Sequence, residues 1–116
     1  MPRSILIVDD HPSFRASARM LLEAEGFEVV GEAEDARAAL AAVQELEPDV
    51  MLLDVQLPDL DGLELAGHLS ANGPGPAIVL TSSRALEDIG ELQGVLGFIP
   101  KSELSGATLE GLLGEA

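Results

Sequence analysis

The chain is predicted to fold as an α/β protein, a doubly wound parallel sheet with helices on both faces. Its 116 residues alternate five times between short apolar runs and segments of helical periodicity. Three of the runs contain no polar residue, which is typical of parallel strands covered on both faces: residues 5–8, 50–53 and 77–80. Polar residues follow these runs directly, at the strand ends where α/β sheets bind ligands.

The first predicted strand, residues 5–8, precedes a helix over residues 13–25. Ser13 is the predicted N-cap, because its hydroxyl can accept a free amide of the first turn, and Gly26 is the predicted stop. Apolar residues at helical spacing predict the buried face of this helix: Phe14, Ala18, Leu21 and Leu22.

The second predicted unit is a strand over residues 27–32 and a helix that runs to residue 47. Glu28 and Glu32 interrupt the apolar character of the strand, so we expect it at an edge of the sheet. Asp35 is the predicted N-cap of the helix. Its predicted inward residues are Ala36, Leu40 and Val43.

The third strand, residues 50–53, leads through a loop with Pro58 and Asp61-Gly62 into a helix that ends near Asn72. Alternating glycine and proline over residues 73–76 end that helix. The fourth strand, residues 77–80, follows.

Residues 86–93 predict only a poor helix, weakened by an internal glycine. The fifth strand, residues 97–99, ends at Pro100, which lacks an N–H group and suits an edge strand. Ser105 or Thr108 begins a short last helix that carries Leu109, Leu112 and Leu113. With the second and fifth strands at the edges and right-handed crossovers, the predicted strand order is 2-1-3-4-5, the flavodoxin-like arrangement.

Composition excludes several classes of function. The chain has no cysteine, so it forms no disulfide and no thiolate metal site. A net charge of -15 argues against direct contact with nucleic acid or an anionic membrane. No apolar run is long enough to cross a bilayer, and the start has no signal-peptide pattern, so we expect a soluble cytoplasmic protein of one domain, residues 1–116.

Four strand ends carry groups that a parallel sheet would bring to one edge: Asp9-Asp10, Asp54, Thr81 and Lys101. Carboxylates about 4 Å apart repel by roughly 4 kcal/mol at an effective dielectric constant near 20. A hard divalent cation relieves that repulsion, and Mg²⁺ is predicted because it accepts few carboxylates and keeps exchangeable waters. Asp54 lies centrally and is the predicted phosphoryl acceptor, with Thr81 and Lys101 positioned to neutralise the phosphoryl oxygens.

Over nearly the whole chain these residues resemble the receiver domain of two-component response regulators. The segments that carry the resemblance are Asp9-Asp10 and residues 54–62, 80–82 and 97–101. Residues 8–12 and 97–102 are most similar to regulators with a helix-turn-helix output domain of the LuxR/NarL type.

The resemblance implies a signalling domain rather than an enzyme. Such a domain takes a phosphoryl group from small donors by itself and also removes it by itself. A sensor histidine kinase would phosphorylate Asp54, and transcription is the expected output. Mg²⁺ would be held by Asp9, Asp10, Asp54 and the backbone carbonyl of Gln56. Thr81 and Lys101 would contact the phosphoryl oxygens, Thr81 and Phe98 would form the conformational switch, and Gln56 and Ser83 would tune phosphate lifetime.

The chain also departs from the family pattern. The segment from Thr81 to Lys101 is short and rich in glycine, which puts a homodimer through the helix predicted at 86–93 in doubt, and Ser102 stands where many receivers have proline. No output domain follows Ala116, so a single-domain regulator and an excised receiver are both open. His11, beside the acid pair, is a candidate loop contact, and His68 is a weaker candidate.

Three alternatives stay open at this point. A flavin binder would need a phosphate-cradling loop after the first strand, where this chain has Asp-Asp-His-Pro. A small Mg²⁺-dependent aspartyl phosphatase of the haloacid-dehalogenase kind would need a second acid at position 11, which is His11. A degenerate receiver that only binds proteins would not need the complete set of five site residues.

Overall fold

The computed structural model of the chain describes residues 3–71, 75–82 and 95–114. Strands and helices follow one another in this order: β1 (Ser4–Val8), α1 (Pro12–Ala24), β2 (Glu28–Ala33), α2 (Ala36–Leu46), β3 (Val50–Asp54), α3 (Gly62–Ala71), β4 (Ala77–Ser82), β5 (Gly97–Pro100), a 3₁₀ turn (Lys101–Glu103) and α4 (Gly106–Gly114). The helix predicted at 86–93 lies outside the described residues, so α4 corresponds to the helix predicted as the last.

The strands form one five-stranded sheet in the order β2-β1-β3-β4-β5, and every neighbouring pair is parallel. This confirms the predicted order and the doubly wound, flavodoxin-like class. The strand with Glu28 and the strand with Pro100 lie at the two edges, as their polar character and missing N–H group predicted.

Alternate residues of the central strands enter two separate apolar cores, one on each face of the sheet, because successive side chains of a strand point to opposite faces. The first core includes residues of α2 and α3 together with Leu6, Val8, Met51, Leu53, Ile78 and Leu80. The second core includes residues of α1 and α4 together with Ile5, Ile7, Val50, Leu52, Val79 and Ile99. Burial on both faces explains why these strands lack polar residues until their ends.

Helix α1 begins earlier than predicted. His11 takes the N-cap position without a side-chain cap, and Pro12 is the first helical residue, so the prediction that Ser13 caps the helix is wrong. Proline suits the first turn because its fixed φ is helical and its missing N–H would be unpaired there in any case. The predicted inward stripe is confirmed, since Phe14, Ala18, Leu21 and Leu22 all pack in the second core.

Helix α2 begins as predicted, with the Asp35 side chain accepting the backbone N–H of Ala38 at 2.8 Å. Two of its three predicted inward residues are confirmed, because Ala36 is buried and Val43 packs against the first core. Leu40 is 37% exposed, whereas Ala39 is fully buried and Ala36 nearly so. The prediction for Leu40 is therefore wrong, because small alanines rather than the larger leucine let the helix pack closely against the sheet.

Ser105 rather than Thr108 caps helix α4. The Ser105 hydroxyl oxygen accepts the Thr108 backbone N–H at 3.0 Å, and the Thr108 hydroxyl oxygen accepts the Ser105 backbone N–H at 3.0 Å. This reciprocal pair satisfies two amides at the helix start. Among the residues that the structure describes, no helix is both long enough and apolar enough to span a bilayer.

Candidate functional site

Four strands each deliver one polar side chain to the same side of the sheet. Two positions before each of these side chains lies a buried apolar residue of the second core, namely Ile7, Leu52, Val79 and Ile99. Side chains two positions apart in a strand point to the same face. The four polar side chains therefore lie on the face of the second core: Asp9, Asp54, Thr81 and Lys101. Asp54 and Thr81 are direct partners in the β3–β4 ladder, so the row is continuous across the sheet.

The two adjacent acids have different environments. Asp9 is fully buried, whereas the side chain of Asp10 is 37% exposed. The Asp9 backbone N–H donates to the Ala33 carbonyl at 3.0 Å, and the Arg15 guanidinium donates to the Asp9 carbonyl. These contacts from β2 and α1 hold the turn in which Asp9 and Asp10 diverge.

The Lys101 ammonium group forms ion pairs with two acids of the row. Its Nζ lies 2.7 Å from Oδ2 of Asp9 and 3.4 Å from Oδ2 of Asp54, and its side chain is only 16% exposed. A largely desolvated ammonium between two buried carboxylates offsets part of their mutual repulsion, and it leaves a cation beside Asp54.

Asp54 is itself almost fully buried, at 3% exposed. Burial raises the pKa of the Asp54 carboxyl, and the nearby charge of Asp9 raises it further. The Gln56 backbone N–H, which donates to Oδ1 at 3.1 Å, and Lys101 both oppose this rise in pKa. Asp54 is thus a carboxylate that is poorly compensated when it is charged, so a ligand that brings positive charge or hydrogen-bond donors would be favoured there.

The Thr81 hydroxyl is the clearest sign that a ligand belongs at this site. Its Oγ1 is buried and has no hydrogen-bond partner among residues 3–71, 75–82 and 95–114. A buried hydroxyl without a partner carries a desolvation cost, which an anion accepting its hydrogen bond would remove. The structure thus brings together Asp54, Thr81 and Lys101, the three residues predicted to handle a phosphoryl group.

The acids could also hold a cation. One ligand atom from each of Asp9, Asp10, His11 and Asp54 lies within 4.8 Å of the other three. His11 Nδ1 lies 2.9 Å from Oδ1 of Asp9 and 3.1 Å from Oδ1 of Asp10. A set dominated by carboxylate oxygens fits the hard cation Mg²⁺.

Of the other predicted site residues, Gln56 contacts Asp54 through its backbone N–H. His68 lies exposed on α3 and outside the group of four. Gln56 has an exposed side chain, and its backbone forms an isolated bridge with Asp61 in the loop after β3. Ser83 lies outside the described residues, so its role in phosphate lifetime stays a prediction.

Phe98 lies on the opposite face of the sheet from the row of polar side chains. It pairs with Leu80 in the β4–β5 ladder and packs, half-buried, against the first core. Its predicted role as a switch partner of Thr81 stays a prediction.

Three further contacts were not predicted from the sequence. The Phe14 ring centroid lies 4.7 Å from Lys101 Nζ, Arg15 holds the carbonyl of Asp9, and Asp59 caps α2. The position of Phe14 and Arg15 in the first turn after Asp9-Asp10 indicates that both lie near the acid pair, but it does not indicate the contact with Lys101. For Asp59, which contacts a helix 23 positions earlier, no local signal exists.

Comparison with known proteins identifies the class. A family model described as the response regulator receiver domain matches residues 5–109. The chain therefore belongs to the receiver domain family of response regulators, which confirms the resemblance seen in the sequence.

Individual relatives carry this domain in longer proteins. The chain is 38% identical over 111 residues to the transcription regulator BvgA of Bordetella pertussis, covering 89% of this chain and 51% of BvgA. It is 36% identical to protein-glutamate methylesterase/protein-glutamine glutaminase 2 of Koribacter versatilis, covering 98% of this chain and 33% of that protein. The chain thus spans about half of BvgA and a third of the methylesterase.

A solved structure agrees in fold. The signal receiver domain of NarL from Mycobacterium tuberculosis superposes with a TM-score of 0.85 at 31% identity, covering 97% of this chain and 98% of that one. The chain is thus similar to a receiver domain over almost its whole length.

Proposed function

We propose that this receiver domain accepts a phosphoryl group on Asp54 from a phosphohistidine of a sensor histidine kinase, in a Mg²⁺-dependent reaction. The observation that carries the proposal is a grouping at one strand-end edge: a buried carboxylate, a largely buried ammonium, and a buried hydroxyl that has no hydrogen-bond partner among the described residues. Lys101 and Thr81 supply the donors that a phosphoryl group on Asp54 would need.

In the proposed transfer, a carboxylate oxygen of Asp54 attacks phosphorus while the bond between phosphorus and the histidine nitrogen breaks. The products are an acyl phosphate on Asp54 and a histidine, whose nitrogen keeps the electron pair and takes up a proton. Lys101 Nζ, now 3.4 Å from Asp54, and the Thr81 hydroxyl donate to the phosphoryl oxygens. Thr81 is buried and the Lys101 side chain is 16% exposed, so both donors are largely shielded from water, which strengthens electrostatic stabilisation.

Asp9, Asp10, Asp54 and the Gln56 backbone carbonyl are the residues that would hold Mg²⁺. When bound, Mg²⁺ would supply positive charge against the phosphoryl oxygens and the acid cluster. The proximity of the ligand atoms of these aspartates supports this assignment.

Phosphorylation would change the conformation of the domain and so control an output, which we propose to be transcription, with the cytoplasm as the place of action. Support comes from BvgA, a transcription regulator of which the matched segment is about half. With a net charge of -15, the receiver itself would not contact nucleic acid, so control would pass through another domain, a partner or a homodimer formed on phosphorylation.

Intact mass spectrometry after incubation with acetyl phosphate and Mg²⁺ tests the proposal. The wild type should gain one phosphoryl mass, and Asp54→Asn should gain none. Asp49→Asn, at an exposed aspartate before β3, is the matched control and should be labelled like the wild type. Labelling that persists in Asp54→Asn would assign the phosphoryl group to another residue, and an unlabelled wild type would favour a degenerate receiver that only binds proteins.

A further inference from the structure

The geometry points to Phe14 as a positioning residue for Lys101, and we propose that its aromatic ring holds the ammonium group in place for an anion bound at Asp54. This inference rests on the proposed function, because the anion concerned is a phosphoryl group or an analogue of one. The observation behind it is the distance of 4.7 Å between Lys101 Nζ and the centroid of the Phe14 ring.

The ammonium group stands between the ring and the acids. Towards the sheet, Nζ lies 2.7 Å from Oδ2 of Asp9 and 3.4 Å from Oδ2 of Asp54. Towards α1, it lies over the ring of Phe14, well inside the distance of about 6 Å at which a ring face attracts a cation. With 16% of the Lys101 side chain exposed, the attraction acts in a largely dry environment, where it is strongest.

The ring is itself held in place. Phe14 is the third residue of α1, and it packs, half-buried, against the second core. The first turn of the helix is closed by the Arg15 N–H, which donates to the His11 carbonyl at 3.1 Å. Phe14 therefore presents a fixed surface to Lys101, which directly follows the C-terminal end of β5.

Lysine needs such a surface because its ammonium group sits on a flexible chain of four carbons. The carboxylates of Asp9 and Asp54 also attract the ammonium group. An anion bound at Asp54 changes the negative charge near Lys101, so this attraction changes when the anion binds. Attraction to a ring face does not depend on whether Asp9 and Asp54 are engaged with another ligand. The ring thus confines Nζ near Asp54 both before and after the anion binds, which lowers the ordering cost of binding.

The competing explanation is that Phe14 only fills the core. Phe14→Leu separates the two explanations, because leucine keeps an apolar side chain but has no ring face. Phe14→Tyr restores the ring. Leu21→Ala is the matched control, because Leu21 packs half-buried in the same core two helical turns further along α1.

The first measurement uses the fact that Lys101 is the only lysine in the chain. A sample labelled with ¹³C-lysine therefore gives one lysine spin system, which needs no further assignment. In the wild type, the ε-methylene protons should be shifted upfield by the ring current of Phe14. The shift should be lost in Phe14→Leu and kept in Phe14→Tyr and Leu21→Ala, whereas an unshifted wild-type signal would overturn the contact.

The second measurement is the affinity for beryllofluoride at saturating Mg²⁺, by calorimetry. Phe14→Leu should bind the analogue about 5- to 30-fold more weakly, with its affinity for Mg²⁺ alone unchanged. Phe14→Tyr should bind like the wild type. If Phe14→Leu does not fold by circular dichroism, Phe14→Met replaces it in both measurements.

The two proposals fail in different ways. A wild type that does not bind beryllofluoride would overturn the proposed function, whatever the lysine signal shows. Equal binding by the wild type and Phe14→Leu would overturn the role of Phe14 and leave the phosphoacceptor proposal intact. An equal loss of binding in Leu21→Ala would also overturn it, because general loosening of the core would then explain the effect.

Discussion

The Asp59 carboxylate accepts the backbone N–H of Ala36 at 2.9 Å, so the loop after β3 is tied to the first turn of α2. Its other oxygen accepts the Arg37 N–H at 3.1 Å, while Asp35 accepts the third amide of the helix. Two acids from different parts of the chain thus satisfy the first three amides of α2, at the positive end of the helix dipole. The same loop carries Gln56, so this cap links α2 to the candidate metal site.

Replacing Asp59 should therefore destabilise the fold in a pH-dependent way. The Ala36 N–H holds the pKa of the Asp59 carboxyl below its ordinary value. The stabilisation from a depressed pKa is complete above the unfolded value of 3.8 and is lost as the pH falls through the folded value. Asp59→Asn should lower the melting temperature by roughly 2–6 °C at pH 7, with a smaller difference below pH 3.8.

Thermal unfolding at pH 7 and at a pH below 3.8 measures this difference. Glu34→Gln, which removes the same charge from an exposed position two residues before Ala36, is the control. An equal effect of the two substitutions would mean that net charge, and not the cap, is responsible.

The contrast between Asp35 and Asp59 marks how far the sequence predicts the fold. Asp35 is three residues from the amide that it accepts, so local pattern was sufficient to identify it as the cap. Asp59 bonds across 23 positions, and such a contact depends on how the loop and the helix are placed in space. The sequence also failed to predict that Ala39 rather than Leu40 is buried in α2. The reason is similar, because packing against the sheet decides which side of the helix faces inward.

The candidate site was more predictable than these contacts. Asp9, Asp54, Thr81 and Lys101 each end an apolar run, and parallel strands bring such ends to one edge whatever the details of packing. What the pattern could not predict is which groups compensate their charges. The contact between Phe14 and Lys101 joins α1 to the end of β5, and a single sequence carries no direct signal of that distance.

A glycine at position 62 is needed for the loop to close. The Gly62 N–H donates to the Val55 carbonyl at 2.7 Å, and a Cβ on Gly62 would collide with the Asp54 carbonyl oxygen and approach Val55 Cα to 2.8 Å. Since these are backbone atoms, the loop itself would have to move. Gly62→Ala should destabilise the domain by about 1–3 kcal/mol and slow the phosphorylation of Asp54.

Gly67, in the same helix, provides the control, because a Cβ there would meet no atom of the described residues within 4 Å. Gly67→Ala should stabilise the domain by about 0.5–1 kcal/mol, since alanine favours the helix. Chemical denaturation of both variants gives the comparison. Equal stability changes in Gly62→Ala and Gly67→Ala would show that a Cβ at position 62 does not collide with the loop.

Neutralising Asp54 should stabilise the unliganded domain. Carboxylates with atoms within 4.8 Å of each other repel by roughly 3 kcal/mol at an effective dielectric constant near 20. Lys101 offsets part of this repulsion, so Asp54→Asn should raise the unfolding free energy by about 1–2 kcal/mol in the absence of divalent cations.

The pH dependence has the opposite sign to that of Asp59. Because the pKa of Asp54 is raised, its folded form takes up a proton before its unfolded form, and its contribution to stability improves as the pH falls through the folded value. The advantage of Asp54→Asn should shrink as the pH is lowered towards 3.8. Asp49→Asn is the contrasting control, because Ser4 lowers the pKa of Asp49 and its loss should destabilise the fold. A destabilised Asp54→Asn would contradict the prediction.

Mg²⁺ should stabilise the wild type by mass action, by about 2.7 kcal/mol at a concentration one hundred times its dissociation constant. The double variant Asp9→Asn with Asp10→Asn should lose most of this gain. Glu34→Gln with Glu45→Gln removes the same charge from exposed positions and should keep the gain. Melting curves with and without Mg²⁺ decide the matter, and an equal gain in both double variants would place the cation elsewhere.

The last prediction concerns a switch from Thr81 to Phe98. The Thr81 hydroxyl has no hydrogen-bond partner in the part of the chain that the structure describes. An anion at Asp54 would draw this hydroxyl towards it, and the end of β4 would shift with it. Phe98 pairs with the preceding residue, Leu80, and borders a surface cavity of about 330 Å³ that is also lined by Leu112. Phe98 is thus connected to the site through its pairing with β4, and it borders open space at the surface.

Selective labelling can follow this switch, because the chain contains three phenylalanines. With beryllofluoride and Mg²⁺, the ring signals of Phe98 should move, those of Phe14 should respond to the nearby Lys101, and those of the buried Phe27 should stay as an internal control. In Thr81→Ala, the Phe14 response should persist because the anion still binds, while the Phe98 response should disappear because no hydroxyl draws β4. If Phe98 moves equally in Thr81→Ala, the hydroxyl is not the trigger. If it does not move in the wild type although Phe14 does, the bound anion has no effect on the far face of the sheet and Phe98 is a fixed residue of the first core.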